Sequence, residues 1–214
     1  MRTLPINAFE RRFSAVETHT MLGVRRLANI YRSVGQVAKL GVPGNIVECG
    51  VARGGSALLI CLALRDAGSD KRLTLFDTFE GMPEPAPGDS DYEKAKRFTG
   101  MCRGSLEDVK ELLRSHGEAG RVKMVKGLYE DTLPLAPREP IAFLHLDCDW
   151  YESIKQCLET FFDQVSTGGI IQIDDYYGWQ GCRRATDEFF AARKQRVDLR
   201  RVDNSAVWLQ KTQP

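Results

Sequence analysis

The chain has 214 residues, and its 30 Lys and Arg against 29 Asp and Glu leave a formal charge of +1. That length suits one α/β domain with an ample core, and the near-neutral balance excludes a global field that would draw it to nucleic acid. No apolar run reaches the roughly 18 residues a membrane span needs, so no membrane partner and a cytoplasmic location are expected.

Residues 8–40 have helical texture, with Leu22, Leu27, Ile30, Val34 and Val37 near i, i+3, i+4 spacing. Gly41-Val42-Pro43-Gly44 ends that stretch and closes a helical N-terminal segment, 1–43, whose apolar face at 20–40 could serve a homo-oligomer. Short strands rich in Val, Ile, Leu and Phe are then predicted at 45–49, 72–76, 121–125, 141–146 and 169–173. Helices are predicted at 56–67, 105–116, 151–164 and 183–194. Such alternation implies a parallel sheet covered by helices on both faces. The ending breaks the rhythm: 198–202, Asp203-Asn204 and 205–209 read as two strands joined by a tight turn. Residues 82–104, rich in proline, glycine and acids, are too long for an ordinary connection and are expected to form a mobile lid. No second domain is expected within 1–214. The six cysteines show no metal-ligand spacing, and several sit in apolar runs as small hydrophobes.

In open α/β sheets the ligand lies outside the carboxyl ends of the strands. Glu48 ends the first strand, before a turn made of Gly50, Gly54, Gly55 and Ser56. Asp77 ends the second, Asp147 the fourth, and Asp174-Asp175 the fifth. An acid at the position of Asp77 can take the two hydroxyls of a ribose. The turn is not GxGxxG, and Glu48 would repel a pyrophosphate, so the pair favours S-adenosylmethionine over a dinucleotide. Three clustered carboxylates, Asp147, Asp174 and Asp175, would repel one another unless a cation joined them, and an all-oxygen set suits Mg²⁺. Asp149 is a further candidate ligand, and His145 is read as a core or supporting residue, with a general-base role as the alternative. Trp150, Tyr151, Tyr176, Tyr177 and Trp179 follow these acids and offer apolar faces to a sugar or aromatic ring.

Five strings occur in order: 46–56 around Glu48-Cys49-Gly50, 75–83 around Asp77-Thr78-Phe79-Glu80-Gly81, 127–134, 144–153 around His145-Leu146-Asp147-Cys148-Asp149-Trp150, and 168–176. Together they resemble the macrocin O-methyltransferase family, the Mg²⁺-dependent sugar O-methyltransferases, from about residue 18 to the C-terminus. The resemblance implies a class I S-adenosylmethionine-dependent methyltransferase: α/β, with a Rossmann-like seven-stranded sheet and a C-terminal antiparallel hairpin. It implies cofactor contacts along Thr20, Met21, Glu48, Gly50, Gly54, Ser56, Asp77 and Asp147, with Thr20 and Met21 placed in the helix before the first strand. It also implies a metal held by Asp147, Asp174 and Asp175, with Asp147 the base for a small-molecule acceptor, a sugar or glycosylated metabolite. Catechol O-methyltransferases place a lysine three residues after the first acid; here Trp150 stands there, which excludes a lysine base. The other readings are a catechol- or phenol-type enzyme, a non-catalytic cofactor-binding scaffold, and a nicotinamide-dependent oxidoreductase using Tyr151 and Lys155.

Overall fold

The computed structural model describes residues 6–212. In chain order its elements are α1 (Ile6–Phe13), α2 (Val24–Lys39), β1 (Asn45–Cys49), α3 (Gly55–Asp66), β2 (Leu73–Asp77) and α4 (Tyr92–Ala95). There follow α5 (Leu106–Ser115), β3 (Val122–Lys126), α6 (Tyr129–Thr132), β4 (Ile141–Leu146) and α7 (Tyr151–Phe161). The chain ends with β5 (Val165–Ile173), α8 (Gln180–Ala192), β6 (Arg200–Arg201) and β7 (Val207–Gln210). The strands form one seven-stranded sheet in the order β3-β2-β1-β4-β5-β7-β6. β1 to β5 pair in parallel, while β7 runs antiparallel to β5 and β6. All five parallel strands therefore end on one edge, and the order reverses between β1 and β4, which is where such sheets open a crevice.

Alternation along each strand splits the core in two. Ile46, Leu75, Phe143 and Ile170 face α1, α2, α3 and α5. Their neighbours Val47, Phe76, Leu144 and Ile171 face α7 and α8. Ten consecutive residues of α3, Gly55–Leu64, are buried, so this helix is apolar all round because it is covered all round.

The N-terminal stretch is less continuous than its periodicity predicts. After α1 comes one turn at Glu17–His19, then an extended Thr20 at φ −139°, ψ 155°. Thr20 and Met21 thus lie in a loop rather than in a helix. The Thr20 hydroxyl accepts the Leu22 N–H at 3.1 Å, a local bond that competes with helix formation. At the other end the predicted hairpin is present but shorter, and Asp203 forms its turn by accepting the N–H groups of Ser205 at 2.8 Å and Ala206 at 3.0 Å. Within the described residues no helix is long and apolar enough to cross a membrane.

Candidate active site

A cavity of about 850 Å³ opens at the strand-end edge, over the reversal between β1 and β4. It is near the upper end of the roughly 300–1,000 Å³ usual for small-molecule sites. Thr20, Met21, Gly50, Ser56, Asp77 and Asp147 of the sequence-predicted set line it; Glu48, Gly54 and Asp174 do not.

The glycine turn serves protein packing as much as a ligand. Gly50 has φ 88°, and a Cβ there would overlap the carbonyl of Asp147, so only glycine lets the end of β4 lie this close. Gly54 adopts φ 85° as the cap of α3 and packs toward Val109 and Leu112, away from the cavity. Gly54 is not among the residues that line the cavity. The next residue, Gly55, lines the cavity, and its bare Cα admits the loop at His19 and Thr20. Asp77 secures the turn: one oxygen accepts the N–H of Val51 at 2.6 Å and of Ala52 at 3.2 Å, while the other accepts Phe79 N–H at 2.6 Å.

Glu48 is corrected more fully. It is fully buried and faces the α2 side of the sheet, where its Oε1 meets His145 Nδ1 at 2.8 Å. Glu48, His145 and Gln172 are aligned neighbours across β1, β4 and β5, so strand register alone assembles a polar row beneath α2. Asn29 of α2 donates to Gln172 at 2.8 Å. His145 Nε2 meets Asp174 Oδ1 at 3.1 Å, Gln172 donates to the same oxygen at 2.7 Å, and Arg26 Nη1 lies 2.7 Å from Asp174 Oδ2. Burial works against charging His145, yet its two carboxylate partners outweigh that and hold its pKa well above the usual value. Burial likewise pushes Asp174 up, but the bond to His145, its charge and that of Arg26 hold the carboxyl below its usual range. A histidine enclosed between Glu48 and Asp174 is no base for an acceptor.

At the ends of β4 and β5, Asp147, Asp149 and Asp175 face the cavity. Burial pushes all three upward, with repulsion from Asp174 and Asp175 adding at Asp147 and repulsion from Asp175 adding at Asp149. Asp175 Oδ1 accepts the Ser205 hydroxyl at 3.2 Å. Asp149 reaches its place through a left-handed backbone, φ 53°, that few non-glycine residues adopt. Crowded, mutually repelling oxygens are the donor set a hard divalent cation fits. Asp174 remains within reach of the group, since one of its oxygens, an Asp147 oxygen and a His145 nitrogen lie within 4.8 Å of one another.

Of the expected aromatic rim, Trp150 and Trp179 line the cavity with their rings edge-on at 5.0 Å, and Phe98 meets Trp179 at 5.2 Å. Tyr151, Tyr176 and Tyr177 do not line it. The Tyr151 hydroxyl donates to Glu188 at 2.6 Å, and neither Tyr151 nor Lys155 lines the cavity where hydride chemistry would occur. Phe98 and Arg26 also line the cavity; nothing in the sequence marks Phe98, and the adjacent basic pair Arg25-Arg26 reads there as an ordinary solvated helix face, which Arg26 is not.

The segment expected to be a lid is pinched at its base, where Met82 N–H donates to Met101 O at 2.9 Å and Gly100 N–H to Met82 O at 2.8 Å. Trp150 Nε1 donates to Pro83 O at 3.0 Å. Neither α7 nor α8 has a capping side chain of its own. The lid supplies both: Asp89 accepts the Tyr151 N–H at 2.8 Å and Asp91 accepts the Gln180 N–H at 2.5 Å. Gly181 is what admits Asp89, because a Cβ there would overlap that carboxylate. Losing such a cap costs about 1 kcal/mol, so Asp89→Ala is expected to speed limited proteolysis of the lid roughly fivefold. Gly181→Ala should do at least as much, with the folded core intact by circular dichroism.

The family model described as Macrocin-O-methyltransferase (TylF) matches residues 12–211. A demethyldecarbamoylnovobiocin O-methyltransferase of Streptomyces niveus is 34% identical over 201 residues, covering 91% of this chain and 76% of that one. A tetracenomycin 4'-O-methyltransferase of Streptomyces olivaceus, named for a dimethoxy-rhamnosyl substrate, is 34% identical over 199 residues, covering 91% and 76%. The solved structure of the O-methyltransferase NovP superposes with a TM-score of 0.85 at 34% identity, covering 91% of this chain and 83% of that one. The calicheamicin methyltransferase CalS11, at 20% identity and a TM-score of 0.70 over 98% of this chain and 94% of its own, shares the fold.

Proposed function

This chain belongs to the macrocin O-methyltransferase family, and on that basis we propose that its cavity takes S-adenosylmethionine, Mg²⁺ and a hydroxyl of a sugar or glycosylated natural product together. The protein is an S-adenosylmethionine-dependent O-methyltransferase with the seven-stranded class I fold. The observation that carries the site assignment is the convergence of Asp147, Asp149 and Asp175 on the cavity at the strand reversal. Relatives named for glycosylated antibiotics support a sugar-borne acceptor. Six unpaired cysteines fit a reducing, cytoplasmic setting.

Asp147 and Asp175 would hold the metal, with Asp174 supplying a further oxygen once Arg26 moves aside. When bound, a divalent cation neutralises these acids and makes a hydroxyl beside it more acidic. The methyl donor supplies an activated methyl group, so the protein's own tasks are alignment and proton removal. Thr20, Met21 and Ser56 would close over the cofactor, and Asp77 keeps the glycine turn in shape around it. Proton acceptance moves from Asp147, the sequence-based choice, to Asp149. A carboxylate whose lone pairs face a cation is a poor base, whereas Asp149 lines the cavity beside that group without being one of its assigned ligands. Trp150 and Trp179 offer flat walls to the acceptor, and the lid excludes water. Protein stripped with EDTA should lose methyl transfer to a desmethyl glycoside such as demethyldecarbamoylnovobiocin, followed by mass spectrometry, and Mg²⁺ should restore it. Equal rates with and without metal would overturn the metal assignment.

A further inference from the structure

Arg26 stands out because it serves a cavity otherwise short of positive charge. Among the lining residues it is the sole lysine or arginine, against acids that include Asp77, Asp147, Asp149 and Asp175. Its side chain is largely buried; it lies 2.7 Å from Asp174 and, through Nε, 3.3 Å from Asp203 in the hairpin turn. Its Nη1 donates to Asp174, but that Nε makes no hydrogen bond, so the guanidinium is not fully satisfied where it sits. Two demands fall on this one group. Asp174 is fully buried and shares the one imidazole of His145 with Glu48, so two buried carboxylates face a single cation unless Arg26 or a divalent ion supplies a second. The amino-acid end of the methyl donor brings a carboxylate into the same acidic cavity and needs a cation as well.

We propose that Arg26 is a shared cation: it neutralises Asp174 in the metal-free protein and passes to the carboxylate of the methyl donor when Asp174 turns to a divalent ion. This rests on the metal-dependent reading above and goes beyond it by making the two binding events one linked equilibrium. Arg26 sits on the first turn of α2, directly after the Thr20–Met21 loop, so its transfer also draws that loop toward the cofactor. Linkage is reciprocal: if the ion strengthens cofactor binding, the cofactor strengthens ion binding by the same factor.

The test is calorimetric titration of the full chain with S-adenosylhomocysteine and Mg²⁺, alone and together, in wild type, Arg26→Met and Arg26→Lys. Wild type should bind S-adenosylhomocysteine about tenfold more tightly when saturated with Mg²⁺. Arg26→Met should bind Mg²⁺ alone severalfold more tightly, its competitor being gone, and should show no coupling between the ligands. Arg26→Lys, shorter but still charged, should keep part of the coupling. Should Arg26→Met be poorly folded without metal, Mg²⁺ should return its melting temperature to that of wild type, because the ion replaces the lost counter-charge. Unchanged coupling in Arg26→Met, weaker Mg²⁺ binding, or a melting temperature that Mg²⁺ leaves depressed would each overturn the inference. Methyl transfer by wild type, assayed in the same preparation, separates these outcomes from failure of the functional reading: activity can persist while the coupling is absent.

Discussion

Asp149→Asn should lower kcat by about 10²–10⁴-fold, the range general-base catalysis ordinarily supplies, while leaving the affinity for S-adenosylhomocysteine within about twofold. The substitution keeps the shape of the side chain and its left-handed backbone, which asparagine tolerates better than most residues. What it removes is the group that accepts the acceptor's proton. Asp147→Asn should differ in kind, because that residue is assigned to the metal: Mg²⁺ affinity should fall along with kcat. Rapid-quench rates of methyl transfer, paired with calorimetric Mg²⁺ titration, distinguish the two. If Asp149→Asn keeps wild-type kcat and Asp147→Asn keeps metal affinity, the division of roles is wrong.

His145→Ala should destabilise the fold by about 3–5 kcal/mol, the usual cost of removing one partner from a buried ion pair. Glu48 is fully buried, its Oε1 faces His145, and its Oε2 already has no hydrogen-bond partner. Without the imidazolium an uncompensated carboxylate would remain in the middle of the sheet. Replacing both partners, Glu48→Met with His145→Leu, should cost less than the sum of the single changes, because the orphaned charge goes too. The effect also carries a pH signature. The folded pKa of His145 is raised, so its stabilising contribution is fully present below the unfolded value of about 6.5 and is lost as pH rises through the folded value. Urea denaturation of wild type and His145→Ala should therefore show a difference that narrows as the solution is made alkaline. A difference constant with pH would mean that His145 acts by packing alone.

Most of the sheet was legible because short runs rich in Val, Ile, Leu and Phe between glycine and proline breaks leave little choice, and the predicted β1 and β4 agree with the structure residue for residue. The edge that carries the chemistry was legible too, since strand ends on a parallel sheet must converge. What could not be read was the direction of each side chain after the strand stops. Glu48 lies one residue before the end of β1 and still obeys the pleat, so it points under α2 instead of into the cavity. Asp149 lies beyond β4, where a positive φ resets the direction, and no local pattern announces such a turn. Asp174 and Asp175 look equivalent in sequence, yet one is claimed by Arg26 from 148 residues away. Partners that distant are chosen by topology, which a single sequence reveals only in outline.

Asp89 and Asp91 make the lid a structural part of the helices beneath it. Lifting it would bare the first turns of α7 and α8, beside which Trp150 and Trp179 stand. The acceptor wall would then slacken whenever the door stands open and firm up as it shuts. A bulky glycoside could pass a yielding threshold and afterwards meet a rigid one, so selection among acceptors would fall at closure rather than at first contact. The amides of Tyr151 and Gln180 would register each such closure as natural reporters, with no label attached to the lid.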